Sequence, residues 1–261
     1  MSRMEERVAI ITGSGSGIGL GIAEALAAEG ARIVIADLNG EAAEIAAQKI
    51  HASGGRAVAV QADVVKRQDV KGIVEAAVTA FGRIDVWFNN AGYNKPLHLL
   101  DVTEENWRSI MEVNGLGTLI GIQEAAKQFI VQGQGGKIIN TSSMAGRQGY
   151  PSFAPYCASK AAVISLTQAA ARGLAEHDIT CNAFAPGVVD TPLWAKLDQD
   201  LMEIGDSSAP GEAMSSFAEG ILRGRPANVT DIAGTALFLA SKDSDYMTGQ
   251  VVMIDGGMVL V

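Results

Sequence analysis

The sequence predicts an α/β fold: a single doubly wound domain over residues 1–261, built on a seven-stranded parallel sheet with helices on both faces. Three observations predict it. Short runs rich in β-branched residues alternate with longer helical patterns from one end of the chain to the other. Several of these runs are almost wholly apolar, as strands buried on both faces of a parallel sheet must be. No linker-like shift of composition divides the 261 residues, a length that suits one large domain.

The first strand, Arg7–Thr12, runs into a glycine-rich turn and then a helical pattern over Ile18–Glu29. Ala31–Ala36, with Ile33, Val34 and Ile35 in succession, is the second strand, and Glu41–Ala52 the helix after it. Arg56–Gln61 and Arg67–Phe81 form the next pair, and Ile84–Asn89 the fourth strand. One long helix is expected over Glu104–Val131, followed by a strand at Gly136–Thr141. The Ala158–Glu176 helix, the Ile179–Ala183 strand, the Val229–Ala240 helix and the Gln250–Ile254 strand complete the series. Residues 193–224 break this rhythm. A helical piece around Trp194–Ile204 runs into a Gly/Ser/Pro stretch at 205–211 and then more polar helix, and excursions of this length tend to be functional. This segment is read as a substrate-lid insertion.

Composition removes several classes of function. With 29 acidic against 20 basic side chains the formal charge is −9, a poor match for a phosphate backbone or an anionic membrane. No apolar run approaches the ~20 residues of a membrane span, and the first residues have no signal-peptide architecture. Cys157 and Cys181 lack metal-ligand spacing and suggest ordinary thiols. His51, His98 and His177 are scattered, so no metal site is expected. A cytoplasmic protein is the expectation, with neither nucleic acid nor membrane as partner.

The turn after the first strand reads Thr12-Gly13-Ser14-Gly15-Ser16-Gly17-Ile18-Gly19. Glycines there let a pyrophosphate approach the backbone, where a helix N-terminus offers unpaired N–H groups. The G-x-G-x-x-G spacing fails in every register, because positions 18, 20 and 22 are Ile, Leu and Ile; the spacing that fits is T-G-x-x-x-G-x-G. Asp37, at the end of the second strand, is placed to accept hydrogen bonds from an adenosine ribose and to repel a 2′-phosphate. No Arg or Lys lies between Gly13 and Gly19 to hold such a phosphate, so NAD is favoured over NADP. The competing reading of Asp37 is a turn residue capping the next helix.

Tyr156 and Lys160 stand four apart and share one helical face. An ammonium near a phenol stabilises phenolate and would make Tyr156 a usable acid/base. Taken alone, such a pair is usually surface decoration. Together with the glycine loop, Asp37, Asn89-Asn90-Ala91-Gly92, Ser143 and Pro186-Gly187-Val188-Val189-Asp190-Thr191-Pro192, it resembles the short-chain dehydrogenase/reductase family over essentially the whole chain. The resemblance implies a Rossmann fold and a catalytic set of Asn114, Ser143, Tyr156 and Lys160. In it, Tyr156 exchanges the hydroxyl proton, Lys160 holds the nicotinamide ribose and lowers the phenol pKa, Ser143 bonds the reacting oxygen, and Asn114 holds a water of the proton relay. Ser143 is preferred over Ser142 because the family spaces its serine 13 residues before the tyrosine. The implied cofactor is NAD, held by Gly13, Ser16, Gly17, Ile18, Gly19, Asp37, Leu38, Asp63, Val64, Asn90, Ala91, Gly92, Tyr156, Lys160, Pro186, Gly187, Val189 and Thr191. Relatives are commonly homotetramers assembled through helices matching Glu104–Val131 and Ala158–Glu176.

Within the family the likeness extends to 2,3-butanediol (acetoin/diacetyl) dehydrogenases and bacterial sorbitol-type polyol dehydrogenases, through segments such as Gly136–Asn140, Ala161–Gln168 and Asp245–Gln250. The implied activity is NAD-dependent interconversion of a secondary alcohol, a small diol or polyol, and its ketone. Both branches tend to carry Gln after the catalytic serine, where this chain has Met144. A pocket of Ser143, Met144, Tyr150 and Trp194 favours a less hydroxylated substrate, unless Met144 faces away and packs. Three alternatives are a reductase of a bulkier apolar ketone, a 3-oxoacyl carrier-protein reductase, and an inactive dinucleotide-binding scaffold. Asp37 and the absence of basic residues in the glycine loop argue against the carrier-protein enzyme, and the intact catalytic set against the scaffold.

Overall fold

The computed structural model describes residues 2–260. Seven strands form one parallel sheet: β1 (Val8–Thr12), β2 (Arg32–Asp37), β3 (Arg56–Gln61), β4 (Val86–Asn89), β5 (Gly136–Thr141), β6 (Ile179–Pro186) and β7 (Val251–Ile254). Their spatial order is β3-β2-β1-β4-β5-β6-β7, so the winding reverses between β1 and β4. Ile10 of β1 lies opposite Val34 of β2 on one side and Trp87 of β4 on the other. A reversal of this kind opens a crevice at the carboxyl ends of the two strands, where ligands bind in open α/β sheets.

Alternation along β1 shows why both faces are covered. Ala9 and Ile11 join a core with Ile22 and Leu26 of α1 (Gly17–Ala28), Ala43 and Ile50 of α2 (Gly40–Ala52), and Ile232 and Ala236 of the helix before β7. Val8 and Ile10 point to the opposite core, with Val70 and Ile73 of α3 (Arg67–Phe81) and Ile120 and Phe129 on the chain before β5. With every residue of β1 buried, a continuous apolar run is what the strand needs. Local signals start the helices. The Asn39 side chain accepts the Ala42 amide at α2, and Asn228 with Asp231 forms a reciprocal capping box at Val229–Ala240.

Three expectations change in detail. The long helix expected over Glu104–Val131 is two helices, α4 (Glu104–Met111) and α5 (Gly117–Gln132), joined by a π-helical turn at Glu112–Leu116. Hydrophobic periodicity runs through such a turn, because only one residue is added to the ladder. The helix carrying Tyr156 is α6, and it starts at Ala154 rather than Ala158, with Pro155 in its first turn where a missing N–H costs nothing. β6 continues past Ala183 to Pro186, because residues 183–186 pair with all of β7. The excursion after β6 folds as α7 (Pro192–Glu203) and α8 (Glu212–Glu219), and α9 (Val229–Ala240) returns the chain to the sheet. No helix among the described residues is long and apolar enough to cross a membrane.

Candidate active site

A cleft of about 620 Å³ lies at the carboxyl ends of the strands. Its floor is the turn after β1. Gly13 adopts φ +62°, and a Cβ there would stand 2.7 Å from the Ala91 Cα. A Cβ on Gly19 would collide with the Gly13 carbonyl and the Asn90 side-chain amide. The backbone is therefore bare where a phosphate must come close, and the N-terminus of α1 faces the same space. Thr12 ties this turn to β4: its hydroxyl donates to the Phe88 carbonyl at 3.1 Å and accepts the Asn90 and Ala91 amides at 3.0 and 3.1 Å. The Asn90 amide donates to the carbonyls of Thr12 and Gly13, both at 3.0 Å. Asn90 thus braces the glycine turn, a job its place in Asn89-Asn90-Ala91-Gly92 does not reveal.

Asp37 closes the outer end of the cleft. One carboxylate oxygen accepts the Gly15 amide at 2.8 Å and the other accepts the Asn39 amide at 2.9 Å. Asn39, not Asp37, caps α2. The competing reading of Asp37 as a helix cap therefore fails, while the turn role stands beside a position on the cleft wall. An acid here, beside a glycine cradle that side chains would fill, fits the adenosine end of a dinucleotide. Every residue expected around the cofactor, from Gly13 to Thr191, lines this one cleft.

The catalytic candidates meet at its inner end. Lys160 is 4% exposed and donates from Nζ to the Thr141 carbonyl at 2.9 Å, with Nζ 5.5 Å from the Tyr156 ring centre. The two neighbouring serines have different tasks. Ser142 donates to the Lys160 carbonyl at 2.9 Å, whereas Ser143 accepts the Ala145 amide at 3.1 Å and faces the Tyr156 phenol. Asn114, in the π-helical turn, lies behind them. Its side chain accepts the Tyr93 amide at 2.8 Å and donates at 2.9 Å to both the Tyr93 carbonyl and the Ser159 hydroxyl. Ser159 in turn donates to the Tyr156 carbonyl at 2.7 Å. Its spacing of three from Tyr156 was a signal that sequence reasoning passed over, as were the cleft residues Tyr93 and Leu193.

Charge at this end does not follow the simple expectation. Burial pushes the Tyr156 phenol up to about 12, the Ser143 side chain opposes the rise, and Cys157 adds to it. Burial also pushes Lys160 down to about 8. Desolvation is thus the largest influence on both groups, raising the phenol and lowering the ammonium. A test follows. Between about pH 8 and 10.5 the unfolded chain holds a Lys160 proton that the folded chain releases, so this residue adds stability as pH rises through that window. Below it the whole penalty stands, about 3 kcal/mol for the displacement, set against about 1 kcal/mol for the bond to Thr141. Lys160→Met is expected to stabilise the chain by about 2 kcal/mol at neutral pH, the gain fading as pH climbs, measured by thermal melts across pH.

The substrate-side expectations divide. Trp194 lines the cleft. Met144 and Tyr150 do not; Met144 is buried with Val188, Ile221 and Val259, and the Tyr150 hydroxyl donates to its sulfur at 3.3 Å. Met144 faces away and packs, because the excursion after β6 brings Ile221 against it. Phe217 of α8 stacks near Tyr150, Phe153 and Trp194 at ring separations of 5.7, 6.0 and 5.6 Å, making an apolar wall behind Trp194. Cys157 is buried beside Phe153 and Leu197, as a packing residue. No group of His, Cys, Asp and Glu among the described residues is arranged to hold a metal.

A Rossmann-type cleft with a phenol at its inner end, backed by a lysine and a serine, defines an oxidoreductase of the dinucleotide-dependent class. The family model described as enoyl-(acyl carrier protein) reductase matches residues 13–259. A diacetyl reductase [(S)-acetoin forming] of Staphylococcus epidermidis is 43% identical over 97% of this chain and 98% of its own. An L-2,3-butanediol dehydrogenase of Corynebacterium glutamicum is 42% identical over the same shares. The crystal structure of a short-chain type dehydrogenase/reductase from Mycobacterium marinum superimposes with a TM-score of 0.91 at 33% identity, covering 99% of this chain and 97% of that one. The chain belongs to the short-chain dehydrogenase/reductase family, and is an oxidoreductase on a fold typical of NAD(H) binding.

Proposed function

We propose that the protein interconverts a small vicinal diol, or the secondary alcohol of a polyol, and the corresponding hydroxyketone, with NAD(H) as the redox partner. The observation that carries the chemistry is the Tyr156 phenol sharing the cleft with Ser143, with Lys160 buried beside its ring. A bound nicotinamide dinucleotide supplies the hydride acceptor or donor. Ser143 and Tyr156 are placed to hold the substrate oxygen between them. In reduction the phenol gives its proton to that oxygen as the carbinol C–H bond forms; in oxidation the phenolate takes the hydroxyl proton as the hydride leaves. Lys160 and Asn114 orient this pair from the protein side. Asp37 supports NAD, since its carboxylate would face a 2′-phosphate with like charge. Identities of 42–43% to relatives named for diacetyl and butanediol support the substrate class.

The homotetramer expected from the family is supported by Trp107, Leu116, Ile130 and Val131, which stay exposed along α4, the π turn and α5. The test of function is NADH formation at 340 nm with diols, polyols and simple secondary alcohols, with NADP in parallel. Selective turnover of 2,3-butanediol or a sugar alcohol with NAD is expected. Activity confined to apolar alcohols, which the aromatic wall behind Trp194 would suit, would overturn the substrate class, and activity confined to NADP would overturn the role of Asp37.

A further inference from the structure

Residues 93–98 run from the catalytic end of the cleft towards α7, and their backbone is held at Tyr93, Lys95 and Leu97. The Asn114 side chain grips both the amide and the carbonyl of Tyr93. Two residues on, the Asn106 side chain of α4 donates to the Lys95 carbonyl at 3.0 Å. The Leu97 amide donates to the Ser152 carbonyl at 3.1 Å. From this braced segment two side chains cross to the lid. Lys95 donates to Asp200 of α7 at 2.8 Å and reaches Glu203 at 3.3 Å, and the His98 ring meets the Ile204 carbonyl at 2.9 Å.

Asp200 is only 2% exposed, and two lysines converge on the same carboxylate oxygen, Lys95 from the strap and Lys196 from its own helix, each at 2.8 Å. Burial works against the charge, and the two ammoniums overcome it, holding the Asp200 carboxyl below its ordinary value. Their roles differ. Lys196, one turn back on α7, neutralises Asp200 whatever the lid does. Lys95 neutralises it only while α7 stays against the strap. α7 also carries Trp194, an aromatic residue on the cleft wall, nearly two turns before Asp200.

We propose that Lys95 is a positioning residue: through Asp200 it fixes α7, and with it Trp194, relative to the segment gripped by Asn114, so that the substrate wall and the proton-relay asparagine are set by one strap. The proposal rests on reading the cleft as the alcohol and ketone site, and its test separates the two. In Lys95→Met the Asp200 charge keeps Lys196 and the His98 contact with Ile204 remains, so the fold survives while the buried ion-pair tie is lost. The expected result is a KM for the alcohol raised about fivefold or more, since Trp194 no longer holds its place, with kcat within about twofold because Tyr156, Ser143 and Lys160 are untouched. Lys95→Arg restores KM, and Lys196→Met leaves it unchanged.

Hydrogen exchange on the protein alone gives the second readout, independent of turnover. Amides of 192–204 exchange faster in Lys95→Met than in wild type, and Lys196→Met matches wild type. Unchanged exchange in Lys95→Met would overturn the strap whatever the kinetics, as would a fall of kcat in step with the melting temperature. If wild type turned over no alcohol at all, the functional reading would fail, and hydrogen exchange would still decide the strap.

Discussion

Tyr156→Phe is expected to lower kcat in both directions by about 10²–10⁴-fold, the usual contribution of a positioned acid/base. It removes one hydroxyl from a ring that remains packed beside Lys160, so the melting temperature should barely move. The pH profile makes the test specific. With the phenol pushed up to about 12 by burial, the protonated form dominates at neutral pH, and that is the form reduction uses. Oxidation needs phenolate, whose fraction grows about tenfold per pH unit below the pKa. Oxidation by wild type should therefore climb through the alkaline range while reduction does not, and Tyr156→Phe should lose the climb. Unchanged turnover in the variant would take the phenol out of the chemistry and restore the inactive-scaffold reading.

The second large effect is at Asp37. A carboxylate and a 2′-phosphate charge about 4 Å apart repel by about 4 kcal/mol at the effective dielectric of a protein surface, and salt reduces this. Asp37→Ser is expected to shift the ratio of kcat/KM for NADP over NAD by about 10²-fold or more. Part of the change comes from weaker NAD binding, because the carboxylate also accepts the Gly15 amide at 2.8 Å and so steadies the phosphate turn. Parallel assays with both dinucleotides measure it. A wild-type preference for NADP would sink the assignment before any variant was made.

Much of the molecule is legible in the chain. All seven strands and the phosphate turn appear at or within a few residues of their places, because alternation, apolar runs and glycine spacing are local signals. The boundaries that moved did so for tertiary reasons: β6 lengthened because β7 pairs with residues 183–186. The π turn at Glu112–Leu116 is invisible to periodicity, yet it carries Asn114 to Tyr93 and Ser159. Which of two adjacent serines faces the phenol came from family spacing, and the structure gives the physical reason. Ser142 is engaged by the Lys160 carbonyl on α6, which leaves Ser143 to face the phenol.

Residues close together in the chain are enough to establish the fold class, the places of the strands along it, the glycine turn with its acid, and the tyrosine–lysine spacing. The order of the strands in the sheet is set by long-range pairing. The directions of the Tyr156 and Lys160 pKa shifts emerge only from the packed cleft, because burial is set by the whole of it. Tertiary packing also turned Met144 away under Ile221 and brought Lys95 to Asp200, 105 residues later. No local pattern encodes such contacts. They exist only once the sheet has placed the carboxyl ends of its strands side by side.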